Sequence, residues 1–175
     1  MLREMLVVPY NDEWPQIYEE EKKVLSKIFG KVILDIQHFG STSIKGMSAK
    51  PTIDIMIVVD DIKQIDTYDD IMKQHGYLVK GENGIKNRRY FVKLSPDNSG
   101  NHNYHLHIYQ KGNQHISDEL IFRDYLRIDS ESFKEYEKVK IEASLKFRYS
   151  PSEYVDAKYE CIMRIMDKAK RYFVN

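Results

Sequence analysis

At 175 residues and 20.8 kDa, with 27 Lys+Arg against 27 Asp+Glu, the chain has the length of one domain and no formal net charge. That length buries roughly 70% of the surface an unfolded chain exposes, so a core forms without disulfide or metal staples, and the 42% hydrophobic fraction is that of a globular protein. Zero net charge weighs against a whole-surface nucleic-acid binder, the single Cys161 rules out an intrachain disulfide and a multi-cysteine zinc site, and no run reaches the ~20 apolar residues needed to span a bilayer.

The N-terminus has neither a long apolar core nor a small-residue cleavage site, and the sparse cysteine usage suits a reducing compartment. A cytoplasmic protein with no membrane partner is therefore expected. Eight glycines and five prolines, without repeats, leave no linker, so residues 1–175 read as one domain.

In chain order, Asn11 or Asp12 can cap a helix through Phe29, since Trp14, Tyr18, Val24, Leu25 and Ile28 recur at helical spacing and Gly30 can close it. Lys31 to Phe39 is β-branched and predicts a strand, broken at Gly40-Ser41-Thr42-Ser43. After a short helical or irregular stretch, Pro51 opens a second strand, Thr52 to Val59, apolar on both faces except for Asp54 and hence central. Asp60 or Asp61 caps a helix to His75, closed by Gly76. Arg88–Leu94 and His102–Tyr109 predict an antiparallel pair around the turn-rich Ser95–Asn101. The remainder predicts helices over 116–127 and 131–148. A last one opens on Ser150, Pro151 and Glu153, with Val155, Tyr159, Ile162, Met166, Ala169 and Phe173 as its packing stripe. The order α-β-β-α-β-β-α-α-α describes an α+β domain: a mixed sheet flanked by helices, with a helical C-terminal part.

Strand periodicity points to the chemistry. Asp54 shares a face with Thr52, Met56 and Val58, and an aspartate in an apolar strand demands a partner, a helix end or a metal. Gly40, Ser41, Thr42 and Ser43 follow a strand, where glycine admits a close ligand and amides with hydroxyls can hold phosphate oxygens; a plain turn with an N-cap is the alternative. His105 and His107 lie on one side of a strand, positioned to ligate a metal, to donate to phosphate, or simply to face solvent. His38 sits two residues before the glycine. Lys86, Arg88 and Arg89 form one basic group, and Arg123 and Arg127 share a helix face suited to a polyphosphate, unless Asp124 pairs with them. Lys50 offers a further counter-charge.

A Gly-Ser turn followed by a strand aspartate resembles the polymerase-β-like nucleotidyltransferases, in which the turn holds phosphates and strand carboxylates hold Mg²⁺. The chain as a whole resembles the GrpB family. The resemblance is carried by Val8-Pro9-Tyr10, Trp14-Pro15, His38-Phe39-Gly40-Ser41-Thr42-Ser43, Lys50-Pro51-Thr52-Ile53-Asp54-Ile55, His105-Leu106-His107 and Phe122-Arg123-Asp124-Tyr125-Leu126-Arg127. It implies a nucleotidyltransferase-like fold; in some bacteria a GrpB-like domain is joined to dephospho-CoA kinase. The expected function is binding of a nucleotide or other phosphorylated ligand through His38, Gly40–Ser43, Lys50, Arg89, His105, His107, Arg123 and Arg127. Nucleotidyl transfer through Asp54 is the further expectation that the resemblance implies, with Mg²⁺ or Mn²⁺ held by Asp54 and His107. The second acid of the Asp-x-Asp pattern is replaced by Met56. The alternative is a non-catalytic nucleotide- or CoA-type binding module, or a protein-interaction module. The sequence does not fix an oligomeric state.

Overall fold

Trp14, Tyr18, Leu25 and Phe29 are spaced for one helical face, and all four are buried along α1 (Trp14–Phe29). The computed structural model describes residues 3–97 and 99–174; Met1, Leu2, Asn98 and Asn175 lie outside them, Asn98 falling within the expected 95–101 turn. Asn11 acts just ahead of α1, its Oδ1 accepting from the Glu13 amide at 2.9 Å.

The first expected strand is shorter than its composition suggests. Gly30 takes φ +53° and a 3₁₀ turn follows over Gly30–Val32, so β1 is Asp35–Phe39. Val32 and Ile33 pack on the core from that turn instead of from a strand. β2 (Ile53–Val59) is interior, as its apolar faces require. The segment after it begins as a 3₁₀ helix, Ile62–Tyr68, before α2 (Asp69–Gln74). Ile62, Ile65 and Tyr68 recur every three residues, the 3₁₀ period, and all three pack on the core. β3 (Tyr77–Val79), unanticipated, is three residues long; β4 (Arg88–Leu94) and β5 (His102–Gln110) stand where expected. Three helices complete the chain: α3 (Gln114–Ile128), α4 (Ser130–Lys146) and α5 (Pro151–Val174).

The sheet order is β1-β2-β5-β4-β3, with β2 and β5 parallel and every other neighbour antiparallel. One face carries Ile53, Ile55, Ile57, Leu106, Ile108 and Phe91 and is covered by α1 and the 62–74 segment. The other carries Asp54, Met56, His105, His107 and Tyr109 and faces the C-terminal helices, α3 meeting it through Ile116 and Leu120.

The packing stripe of α5 differs from the expected one. Tyr154, Cys161, Ile165 and Ala169 are buried, whereas Val155, Tyr159 and Phe173 are exposed. Among the described residues, no helix is long and apolar enough to cross a membrane.

Candidate functional site

Gly40 ends β1 with φ +68° and ψ −177°, a conformation open essentially to glycine alone. Any Cβ there would collide with Oδ2 of Asp54, so the glycine is what lets the bend lie against the carboxylate. Ser41–Ser43 then form one 3₁₀ turn, fastened on several sides. Ser43 Oγ donates to Gly40 O at 2.6 Å, and Thr42 Oγ1 donates to Thr52 O at 3.3 Å.

Parallel pairing sets Asp54 opposite His105 and Met56 opposite His107. His105 Nδ1 lies 3.0 Å from Asp54 Oδ1, so with the carboxylate accepting, the ring carries its proton on Nδ1. Its Nε2 then accepts from His102 Nδ1 at 2.8 Å and from the Arg3 guanidinium at 3.3 Å. Burial alone would raise the Asp54 pKa, but the hydrogen bond from His105, with Lys50 nearby, holds it below the usual carboxylate range. Burial pushes His107 down to about 3, keeping its ring neutral.

Donor atoms of Asp54, His105 and His107 lie within 4.8 Å of one another. Such a set fits one transition ion, which imidazole favours. It does not fit the paired ions of a nucleotidyltransferase, which need several carboxylates: the neighbouring Met56 is fully buried and brings no oxygen.

Beside Asp54 and the Gly40–Thr42 bend opens a cavity of about 170 Å³, reached also by Lys50, Thr52, Tyr136, Lys140, Tyr154 and Lys158. Lys140 rises from α4 and donates to Ser48 O at 2.6 Å; Lys158 rises from α5 over the Tyr154 ring. Burial, reinforced by neighbouring cations, lowers Lys50 and Lys140 to about 7, and burial lowers Lys158 to about 8. Three lysines thus line the same confined space as one carboxylate.

The expected residues divide. Gly40, Ser41, Thr42, Lys50, Asp54 and His105 line this cavity, with His107 beside it. His38 does not: paired with Ile55, it faces α1, where its ring stacks on Tyr18 and its Nε2 meets Thr42 Oγ1 at 3.0 Å. Arg89 pairs with Ile108 on that same far face and is bound by Asp66 at 2.5 and 2.9 Å. Arg88, one residue earlier, is the arginine that reaches His107, at 3.5 Å. Arg123 is occupied by both Asp124 oxygens, Gln37 Oε1 and His38 O, and Arg127 by Asp124 and Ser43 O. These two guanidiniums brace the bend from behind, and Ser43 turns its hydroxyl to Gly40 O. Sequence reasoning missed Lys140, Lys158, Tyr136 and Tyr154. The signal was a lysine four residues after a tyrosine on the buried face of each of two helices.

The GrpB protein family model matches residues 4–168. Protein YqkA of Bacillus subtilis is 41% identical over 97% of this chain, which spans 48% of that protein's length. Glutamate-rich protein GrpB of Alkalihalophilus pseudofirmus is 29% identical over 94% of this chain and 95% of its own. The crystal structure of conserved protein GrpB from Enterococcus faecalis superposes with a TM-score of 0.90 at 32% identity, covering 97% of this chain and all of that one. A match over nearly the whole length, in sequence and in fold, places the chain in the GrpB protein family.

Proposed function

We propose that the protein binds a phosphorylated small molecule, with nucleotides as the leading class, in the cavity between the Gly40–Thr42 bend and the lysines of α4 and α5. The observation that carries this reading is the meeting of Lys50, Lys140 and Lys158 with a single carboxylate. Burial lowers the pKa of each lysine, so an entering phosphate favours their charged forms and is held by them. Gly40 lets the bend lie against Asp54, so the carboxylate and the bend form one wall of this cavity. Asp54, His105 and His107 would hold one divalent ion, Mn²⁺ being favoured over Mg²⁺ by the two imidazoles. Such an ion neutralises phosphate charge.

Calorimetric titration of pyrophosphate into metal-free protein tests the reading. Lys140→Met and Lys158→Met should each weaken binding about tenfold or more, as expected for charge-assisted contacts of 1.5–3 kcal/mol. Asp54→Asn should tighten it, by removing the competing carboxylate. Absence of binding to the wild type at millimolar pyrophosphate would sink the proposal. Nucleotidyl transfer is the second reading, favoured by the contact between the Gly40 bend and Asp54. Pyrophosphate release from nucleoside triphosphates with Mn²⁺, lost in Asp54→Asn, would establish it; no release on prolonged incubation leaves a binding module.

A further inference from the structure

A second, larger cavity of about 400 Å³ lies on the other side of the Gly40 bend, between the end of β1, α3 and α5. Its walls are chiefly Phe39, Ile44, Phe122, Ile162, Met163 and Met166. Gly40, Ser41 and Tyr136 line both cavities, so one wall separates, and joins, a cationic chamber and an apolar one. The volume falls in the range, about 300–1,000 Å³, of pockets that take small organic molecules.

Asp118, Glu119, Arg123 and Lys170 also line this chamber, and of these Glu119 is the one in no ion pair among the described residues. Glu119, on α3, lines it, and among the described residues its one hydrogen-bond partner is the Tyr109 hydroxyl, donating at 3.5 Å. Its carboxyl oxygens, met only by that long contact among the described residues, have acceptor capacity to spare, and burial raises the group to about 7, the charge of Asp54 adding to the rise. A carboxyl in an apolar wall is what selects a ligand with N–H donors, because a ligand without them leaves it unpaired. Asp118, nearby, is already engaged by Lys170 at 3.1 Å.

We propose that the two cavities form one composite site for an organic phosphate, whose phosphate sits among the lysines, whose apolar body fills the larger chamber, and whose N–H donors meet Glu119. This deepens the anion-binding reading and rests on it. The donors belong either to a heterocyclic ring edge, as in a guanine nucleotide, or to an amine on an alkyl chain.

Calorimetry with five probes separates the possibilities: pyrophosphate, inorganic phosphate, 1-naphthyl phosphate, guanosine monophosphate and 6-aminohexyl phosphate. Naphthyl phosphate should bind at least tenfold tighter than inorganic phosphate, and one of the two N–H-bearing probes tighter still, identifying the source of the donors. In Met163→Trp, which narrows the apolar chamber at its rim, the ratio of naphthyl phosphate to inorganic phosphate affinity should fall at least tenfold. Glu119→Gln, nearly isosteric, should lower the preference for the N–H-bearing probe over naphthyl phosphate by a similar factor. If pyrophosphate binds while no organic phosphate exceeds inorganic phosphate, the composite site is overturned and the anion site stands. If pyrophosphate does not bind, both fall. Equal affinities for naphthyl phosphate and both N–H-bearing probes would remove Glu119 from recognition and overturn the proposal in that part.

Discussion

Gly40 concentrates two constraints on one backbone position. Its φ of +68° with ψ near 180° is costly for any side chain, by about 1–3 kcal/mol. Its missing Cβ is the space that Asp54 Oδ2 occupies. Gly40→Ala is therefore expected to destabilise the fold by about 2–4 kcal/mol in denaturant unfolding. In an Asp54→Ala background the same change should cost less, by about 1 kcal/mol, because the clash with the carboxylate is removed while the close approach of the residue 54 Cβ, at 3.0 Å, and the dihedral strain remain. Strictly additive costs would show that the glycine serves the turn alone. The sequence pointed to this juxtaposition through a Gly-Ser turn followed by a strand aspartate, with a plain N-capped turn as the alternative. The placements of His38 and Arg89 were not legible there: in a strand, one residue decides the face. His38 is adjacent to Phe39, and Arg89 to Arg88, yet each points away from the site.

Strand pairing sets the metal-binding potential. β2 and β5 run parallel with Asp54 opposite His105 and Met56 opposite His107, which puts the three donors on one face in two adjacent rows. The histidine periodicity was readable from the sequence, but the parallel register that couples it to Asp54 was not, because the connection runs through α2, β3 and β4. Thermal melts should show a rise with Mn²⁺ of several degrees at a hundredfold excess over its dissociation constant, about 2.7 kcal/mol of linkage. Mg²⁺ should give a smaller rise, and Asp54→Ala and His107→Ala should abolish the Mn²⁺ effect. An equal response to both ions would contradict the imidazole contribution. The helices hid more. Lys140 and Lys158 each follow a tyrosine by four residues on a buried stripe. The expected α5 stripe of Val155 and Tyr159 is displaced by one residue from the true one, and that offset leaves Lys158 looking like an ordinary surface charge.

Across the whole molecule, the buried lysines couple stability to occupancy. Lys50 and Lys140 near 7 and Lys158 near 8 all lie below the ordinary lysine value, so between about pH 7 and 10 the unfolded chain holds more protons than the folded one. Stability of the ligand-free protein must therefore rise with pH across that window, by on the order of 1 kcal/mol per lysine per unit at the steepest. The depressed histidines do not interfere: His38, His102 and His107, at about 4, 3 and 3, differ from the unfolded chain only below about pH 6.5. There, falling pH destabilises the fold. Tyrosines whose hydroxyls are raised by burial enter only above about pH 10. A bound phosphate reverses the lysine effect, since it stabilises their charged forms and draws protons in as it binds. Melting curves from pH 7 to 9.5 should show the ligand-free transition climbing by several degrees while the increment from pyrophosphate shrinks. Titrations at pH 8 in buffers of different ionisation enthalpy should show net proton uptake. A pyrophosphate increment independent of pH, with no protons taken up, would mean that these lysines are not the groups that receive the anion.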